Sequence, residues 1–112
     1  MALDITLNVV KDVAIIELSG DIDASTAPDF QDKVKEAASY NPKKLILELR
    51  ELDYMASAGL RGLIFSKQQM GSDVAIYIVN AQEMVKDTIE KTGFHHSVFM
   101  AESDNIDDII NA

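Results

Sequence analysis

The sequence predicts a single α/β domain. A mixed, mostly parallel sheet of about five strands and about four helices would follow in the order ββαβαβαβα. Three observations predict it. Apolar residues alternate at a period of two near the start of the chain. Later apolar segments are short and nearly continuous, as in strands covered on both faces. Between them lie stretches with apolar residues three and four apart, the helical period. Strands alternating with helices imply parallel neighbours joined by right-handed crossovers.

The elements follow in order. Leu3, Ile5, Leu7 and Val9 alternate with Asp4, Thr6 and Asn8, which describes a strand with one solvated face. Val13 to Leu18 is a second strand, paired with the first across Lys11-Asp12, and Ser19-Gly20-Asp21 breaks its pattern. A helix is expected from about Thr26. Thr26 and Asp29 have the spacing of a capping box, Pro28 lies in the first turn, and Phe30, Val34, Ala37 and Ala38 form a buried face. Asn41-Pro42 stops that helix. Leu45 to Leu49 is a third strand, broken only by Glu48.

A second helix is expected from near Ser57 to Gly71, with Leu60, Leu63 and Ile64 on its inner face. Val74 to Val79 has the uniform apolarity of an interior parallel strand. Met84, Val85 and Ile89 mark a third helix closed by Gly93. Val98-Phe99 suits an edge strand. Ile106, Ile109 and Ile110 suit a last amphipathic helix capped by Ser103.

Composition narrows the function. The 112 residues fit one domain, and 47% of them are hydrophobic, enough for a core without staples. There is no cysteine, which removes disulfides, thiolate metal sites and thiol nucleophiles and fits a reducing cytoplasm. MALDITLNVVKD has no basic patch before an apolar run, so it is not read as a signal peptide. No apolar run approaches the roughly 20 residues that span a bilayer. The net charge of −9 repels phosphate backbones and anionic lipid. Direct nucleic-acid and membrane binding are therefore not expected. A basic protein partner, or simple solubility, is.

In open α/β sheets function sits beyond the carboxyl ends of the strands. Two segments fall there, Gly20 to Thr26 and Asp53 to Arg61. In the second, Ala56, Ala58 and Gly59 leave the Ser57 hydroxyl little steric cover. It is open either to another protein or to a helix-capping role. A hydrolase reading fails, since the string is not G-x-S-x-G and neither His95 nor His96 is marked as its base. Those two histidines lack metal-pair spacing and are read as loop residues. Asp21, Asp23 and Asp53 lack calcium-loop spacing, and no phosphate-cradling glycine loop is present. No metal or other cofactor is expected.

Two strings carry a resemblance to a known family. LSGDIDASTAPDF (18–30) matches a Gly-acidic-apolar-Asp segment before a first helix, and LDYMASAGLRGL (52–63) matches a serine-and-Gly-Leu segment opening a second helix. With them the chain, from about residue 3 to 110, resembles the anti-sigma factor antagonists. Their STAS domain is shared with the cytoplasmic part of sulphate transporters.

The resemblance implies a STAS-like fold and a non-enzymatic bacterial switch. Ser57 aligns with the serine that a partner anti-sigma factor, itself a serine kinase, phosphorylates. The unphosphorylated form binds that kinase and frees a sigma factor or other target, phosphorylation ends the complex, and a metal-dependent serine phosphatase restores it. ATP and metal belong to those partners. Asp21, Asp23 and Thr26, with Ala56, Ala58, Gly59 and Arg61 around Ser57, fall on the implied partner surface. Family members often carry aspartate or serine before the phosphorylated serine, where this chain has Ala56. The other roles open to such a chain are a non-phosphorylated STAS subunit of a larger signalling or transport assembly, and a module binding a small anion or nucleotide. It is expected to be a monomer or weak dimer.

Overall fold

A computed structural model describes residues 3–103 and 105–111. Strands β1 (Leu3–Val10) and β2 (Val13–Ile22) form an antiparallel hairpin, with Lys11 at φ 57°, the left-handed conformation that a two-residue hairpin turn needs. Helix α1 (Ala27–Ala38), strand β3 (Lys44–Met55), helix α2 (Ser57–Met70), strand β4 (Ala75–Val79) and helix α3 (Glu83–Lys91) follow. A 3₁₀ helix (Phe94–Ser97), strand β5 (Phe99–Ala101) and short helix α4 (Asp107–Ile110) end the described chain. The five strands form one sheet in sequence order, and every pair after β1–β2 is parallel. The expected class and element order are those observed.

The alternation in the sequence sorts the core. Ala14, Ile16 and Leu18 of β2, Leu45, Leu47 and Leu49 of β3, and Ile76 and Ile78 of β4 share one cluster. Phe30 and Val34 of α1, Leu63 of α2, and Val85 and Ile89 of α3 belong to the same cluster. The residues between them on the strands, Val13, Ile15, Ile46 and Val79, pack with Ile109 and Ile110 of α4 in a second one. Farther along β2 and β3, Glu17 and Arg50 are exposed and Glu48 is half-buried. The polar interruption at Glu48 therefore lies past the reach of α4.

Several boundaries differ from expectation for identifiable reasons. β2 does not break at Ser19-Gly20-Asp21 but continues to Ile22, and β3 does not stop at Leu49 but runs to Met55. Glu17 pairs with Glu48, whereas Ile22 pairs with Met55, so β3 accommodates two extra residues over this stretch. With them the buried positions of β3 become Leu49, Leu52 and Met55, three apart, which hides the strand period. On α2 the inner face is Gly59, Gly62, Leu63 and Ser66, while Ile64 is 40% exposed. The helix approaches so closely that a Cβ at Gly62 would lie 2.8 Å from Phe30 Cδ2, so small residues mark the contact beside the expected Leu63 and Leu60.

Met84 is likewise exposed on α3, where Val85 and Ile89 are the buried pair. Gly93 follows the helix at φ 80°, as expected of its closing residue. Ser103 does not cap α4. It is bound to Asn80, whose Nδ2 donates to the Ser103 carbonyl at 2.7 Å and whose Oδ1 accepts the Ser103 N–H at 2.9 Å. Asn105 Oδ1 instead receives the Asp107 N–H at the start of α4, at 3.0 Å.

Candidate partner surface at the start of helix α2

The pairing of Ile22 with Met55 brings the two segments beyond β2 and β3 side by side. The link continues one residue further, where the Ala56 N–H donates to the Ile22 carbonyl at 2.8 Å. Ala56, at φ −80° and ψ 173°, is the N-cap of α2, and its carbonyl accepts the N–H groups of Gly59 (2.9 Å) and Leu60 (3.2 Å).

Alanine has no side-chain acceptor, so this cap is bare. No acceptor among the described residues meets the N–H groups of Ser57 and Ala58. Ser57, at the first helical position, is exposed, and its hydroxyl makes no hydrogen bond among the described residues. The capping role that its sequence left open is therefore not what it does.

The neighbouring loop spends its polar atoms on itself. Thr26 Oγ1 accepts the Asp23 N–H at 2.9 Å and donates to the Asp21 carbonyl at 3.0 Å. It turns back into the loop, so the capping box with Asp29 does not form. Asp23 Oδ1 accepts the Ser25 hydroxyl (2.6 Å) and the N–H groups of Ser25 (2.9 Å) and Thr26 (3.2 Å). The Ser25 hydroxyl is the largest influence on the Asp23 carboxyl and holds it below its usual range; burial opposes it, and the N–H groups of Ser25 and Thr26, then the Thr26 hydroxyl, add to the lowering.

The site residues named from sequence thus divide. Ser57 and Arg61 are exposed, as is the neighbouring Asp53, which was not among them, and Asp23, Ala56 and Ala58 are half-buried. Asp21, Thr26 and Gly59 are buried and support the others from beneath. Sequence reasoning passed over Ala24 and Ser25 at the loop tip, and Tyr54 and Ile64 on either side of Ser57, all exposed. The signal for Ile64 was present, since Ser57, Arg61 and Ile64 are spaced as one helix stripe.

Among the described residues no group of three or more His, Asp or Glu side chains is placed to hold a metal. His95 and His96 lie on the 3₁₀ helix, not in an open loop, with ring centroids 3.9 Å apart. No helix among the described residues is long and apolar enough to cross a membrane.

The description "STAS domain" belongs to a family model that matches residues 4–108. The anti-sigma-F factor antagonist RsfB of Mycobacterium tuberculosis is 26% identical over 81 residues, a match spanning 72% of this chain and 66% of that protein. The match thus covers slightly less than two thirds of the relative's length.

Among solved structures, an anti-sigma factor antagonist from Mycobacterium paratuberculosis superposes with a TM-score of 0.85 at 21% identity, covering 98% of this chain and 92% of the other. SpoIIAA in its unphosphorylated form gives 0.74 at 15% identity, covering 96% of each chain. The Bacillus SpoIIAA in its phosphorylated form gives 0.77 at 15% identity, covering 96% of this chain and 98% of the other. These likenesses establish a shared fold, and the family match extends over nearly the whole sequence: the chain belongs to the STAS domain family.

Proposed function

We propose that this chain is a phosphorylation-controlled binding switch of the anti-sigma factor antagonist type, with Ser57 as the phosphoacceptor. The observation that carries the reading is the exposed, unbonded Ser57 hydroxyl at the first position of α2, beside N–H groups that have no acceptor among the described residues. That SpoIIAA, which shares the fold, exists in phosphorylated and unphosphorylated forms supports it.

A phosphoserine adds about −1.5 to −2 charge units at pH 7. At a helix N-terminus that charge meets free donors and the positive end of the helix dipole, so the fold tolerates it. The off-signal then arises at the interface. A partner that binds around a neutral hydroxyl would have to bury an unmatched dianion, at a cost of several kcal/mol. About 3–4 kcal/mol is already a factor of several hundred in affinity.

In this reading the unphosphorylated chain binds a serine-kinase anti-sigma factor and releases its target, and a metal-dependent serine phosphatase resets the cycle. The chain itself acts in the cytoplasm as a monomer or weak dimer, catalyses nothing and holds no cofactor. Ser57, Arg61, Asp53 and the Ala24-Ser25 tip face the partner. Asp21, Thr26 and Gly59 contribute by holding that surface in place, and Asp23 organises the loop.

The test is incubation with the cognate kinase and ATP, read by intact mass and by binding. Wild type should gain one phosphoryl group and dissociate, and Ser57→Ala should bind without gaining mass or dissociating. An unchanged wild-type mass would refute the switch and leave a constitutive STAS subunit of a larger assembly.

A further inference from the structure

Between residues 51 and 64, the stretch that contains Ser57, the one basic side chain is Arg61. It lies four positions after Ser57 on α2, and both residues are exposed. Residues i and i+4 share a helix face, and long helical side chains lean toward the N-terminus, so a guanidinium at 61 is within reach of position 57. Among the described residues the Arg61 side chain has no hydrogen bond or ion pair. Two carboxylates of the adjoining segments are already engaged. Asp23 is held by Ser25 and Thr26, and Asp53 Oδ1 receives Gln82 Nε2 at 3.2 Å. An anion placed N-terminal to a cation at this spacing is the favoured order, and a guanidinium offers a phosphate two parallel N–H bonds.

We propose that Arg61 is the intrachain clamp of the phosphorylated state. This rests on the reading of Ser57 as the phosphoacceptor. The phosphoryl group draws the guanidinium back along α2, so the same event that adds an anion to the partner surface withdraws a cation from it. Dissociation then has two electrostatic causes. Arg61 is a positioning residue for the phosphate and takes no part in its transfer.

The test uses the full chain with phosphoserine placed at position 57 during translation, so no kinase is needed. Phosphorus NMR then follows the second ionisation of the phosphate. With Arg61 the titration midpoint should lie at least about 0.3 pH unit below that of Arg61→Gln, with Arg61→Lys between them. Adding Gln68→Arg to Arg61→Gln restores the total charge about two turns along the same helix and should not recover the lower midpoint. Thermal unfolding of the unphosphorylated variants checks that each is folded. Equal midpoints for wild type and Arg61→Gln, or full recovery by Gln68→Arg, would overturn the clamp. A kinase that leaves Ser57 untouched would refute the switch, while the midpoints still decide the clamp separately.

Discussion

Gly59 sits against Ile22 so closely that a Cβ built on it would lie 2.6 Å from Ile22 Cγ2 and 2.9 Å from Met55 Cγ. This contact seats the first turn of α2 on the paired ends of β2 and β3, and so fixes where Ser57 is presented. Alanine favours a helix interior over glycine by about 1 kcal/mol. Overpacking a close contact costs about 1–3 kcal/mol and must win here, because the obstructing groups are buried on the core side. Gly59→Ala is therefore expected to lower the stability measured by urea unfolding despite its better propensity. A stabilised Gly59→Ala would mean that the helix start is free to lift away.

Replacing Ser57 should be nearly silent for stability. Its hydroxyl caps nothing, so Ser57→Ala is expected to stay within about 0.5 kcal/mol of wild type, short of the roughly 1 kcal/mol that loss of a true cap costs. Ser57→Asp should be more stable than Ser57→Ala by about 0.3–1 kcal/mol, through its charge at the helix start. Thermal unfolding of the three proteins at low and high salt checks both statements, since the gain from aspartate should shrink as salt rises.

The Asp23 carboxyl titrates below the usual aspartate value of 3.8 because the Ser25 hydroxyl, and then the N–H groups of the loop, bond its charged form. A depressed folded-state pKa means that the ionised group stabilises the fold above the unfolded value. That contribution is lost as pH falls through the lowered folded value. Asp23→Asn should accordingly be less stable than wild type at neutral pH, and the gap should narrow below about pH 4. Paired unfolding curves from about pH 7 down to about pH 2.5 would test this, and a constant gap would assign the loss to packing.

Asn80 carries two demands at once. It adopts φ 59°, and its side chain makes both hydrogen bonds to Ser103 and a third to Glu48 Oε2 at 3.0 Å. Asn80→Gly keeps the conformation and loses the bonds, whereas Asn80→Ala loses both. Each should destabilise by about 1–3 kcal/mol, with alanine the worse. Both should speed hydrogen exchange at the Ser103 amide. Unchanged exchange there would show that the segment beyond β5 is held by other contacts, such as the Arg50 Nη2 bond to the Ser103 carbonyl at 3.1 Å.

The fold class and the order of elements were legible because core residues follow the two regular periods. β1 alternates from Leu3 to Asn8, although Val9 is exposed where its pattern places it inside, and α1 buries Phe30, Val34 and Ala37 as its pattern predicts. The segments that misled are those where the structure departs from regularity. In β3 two extra residues turn a period of two into a spacing of three at Leu49, Leu52 and Met55. In α2 the buried face is marked by Gly59 and Gly62, which no hydrophobic period detects.

At the site, Ser57 stood out by the small residues around it. That Thr26 would turn its hydroxyl to the Asp21 carbonyl instead of capping α1 depends on a loop path that residue types alone do not encode.

β3 continues to Met55, but its last partner on β4 is reached at Glu48, paired with Val79. Beyond that point β2 is its only strand neighbour, and β1 stays with β2 only as far as Gly20, so the last residues of β2 and β3 form a short two-stranded crest past the rest of the sheet. The residues of β2 past Gly20 give it a reach of about 7 Å at about 3.3 Å each. Ser57 stands at the crest. A large globular protein can close around that crest without covering the flanks of the sheet, while Ile22, Leu52 and Met55 beneath it belong to the main core. Information written at such a place needs no internal rearrangement to be legible. In the proposed switch the body of the domain is then the mount for a mark placed at the crest.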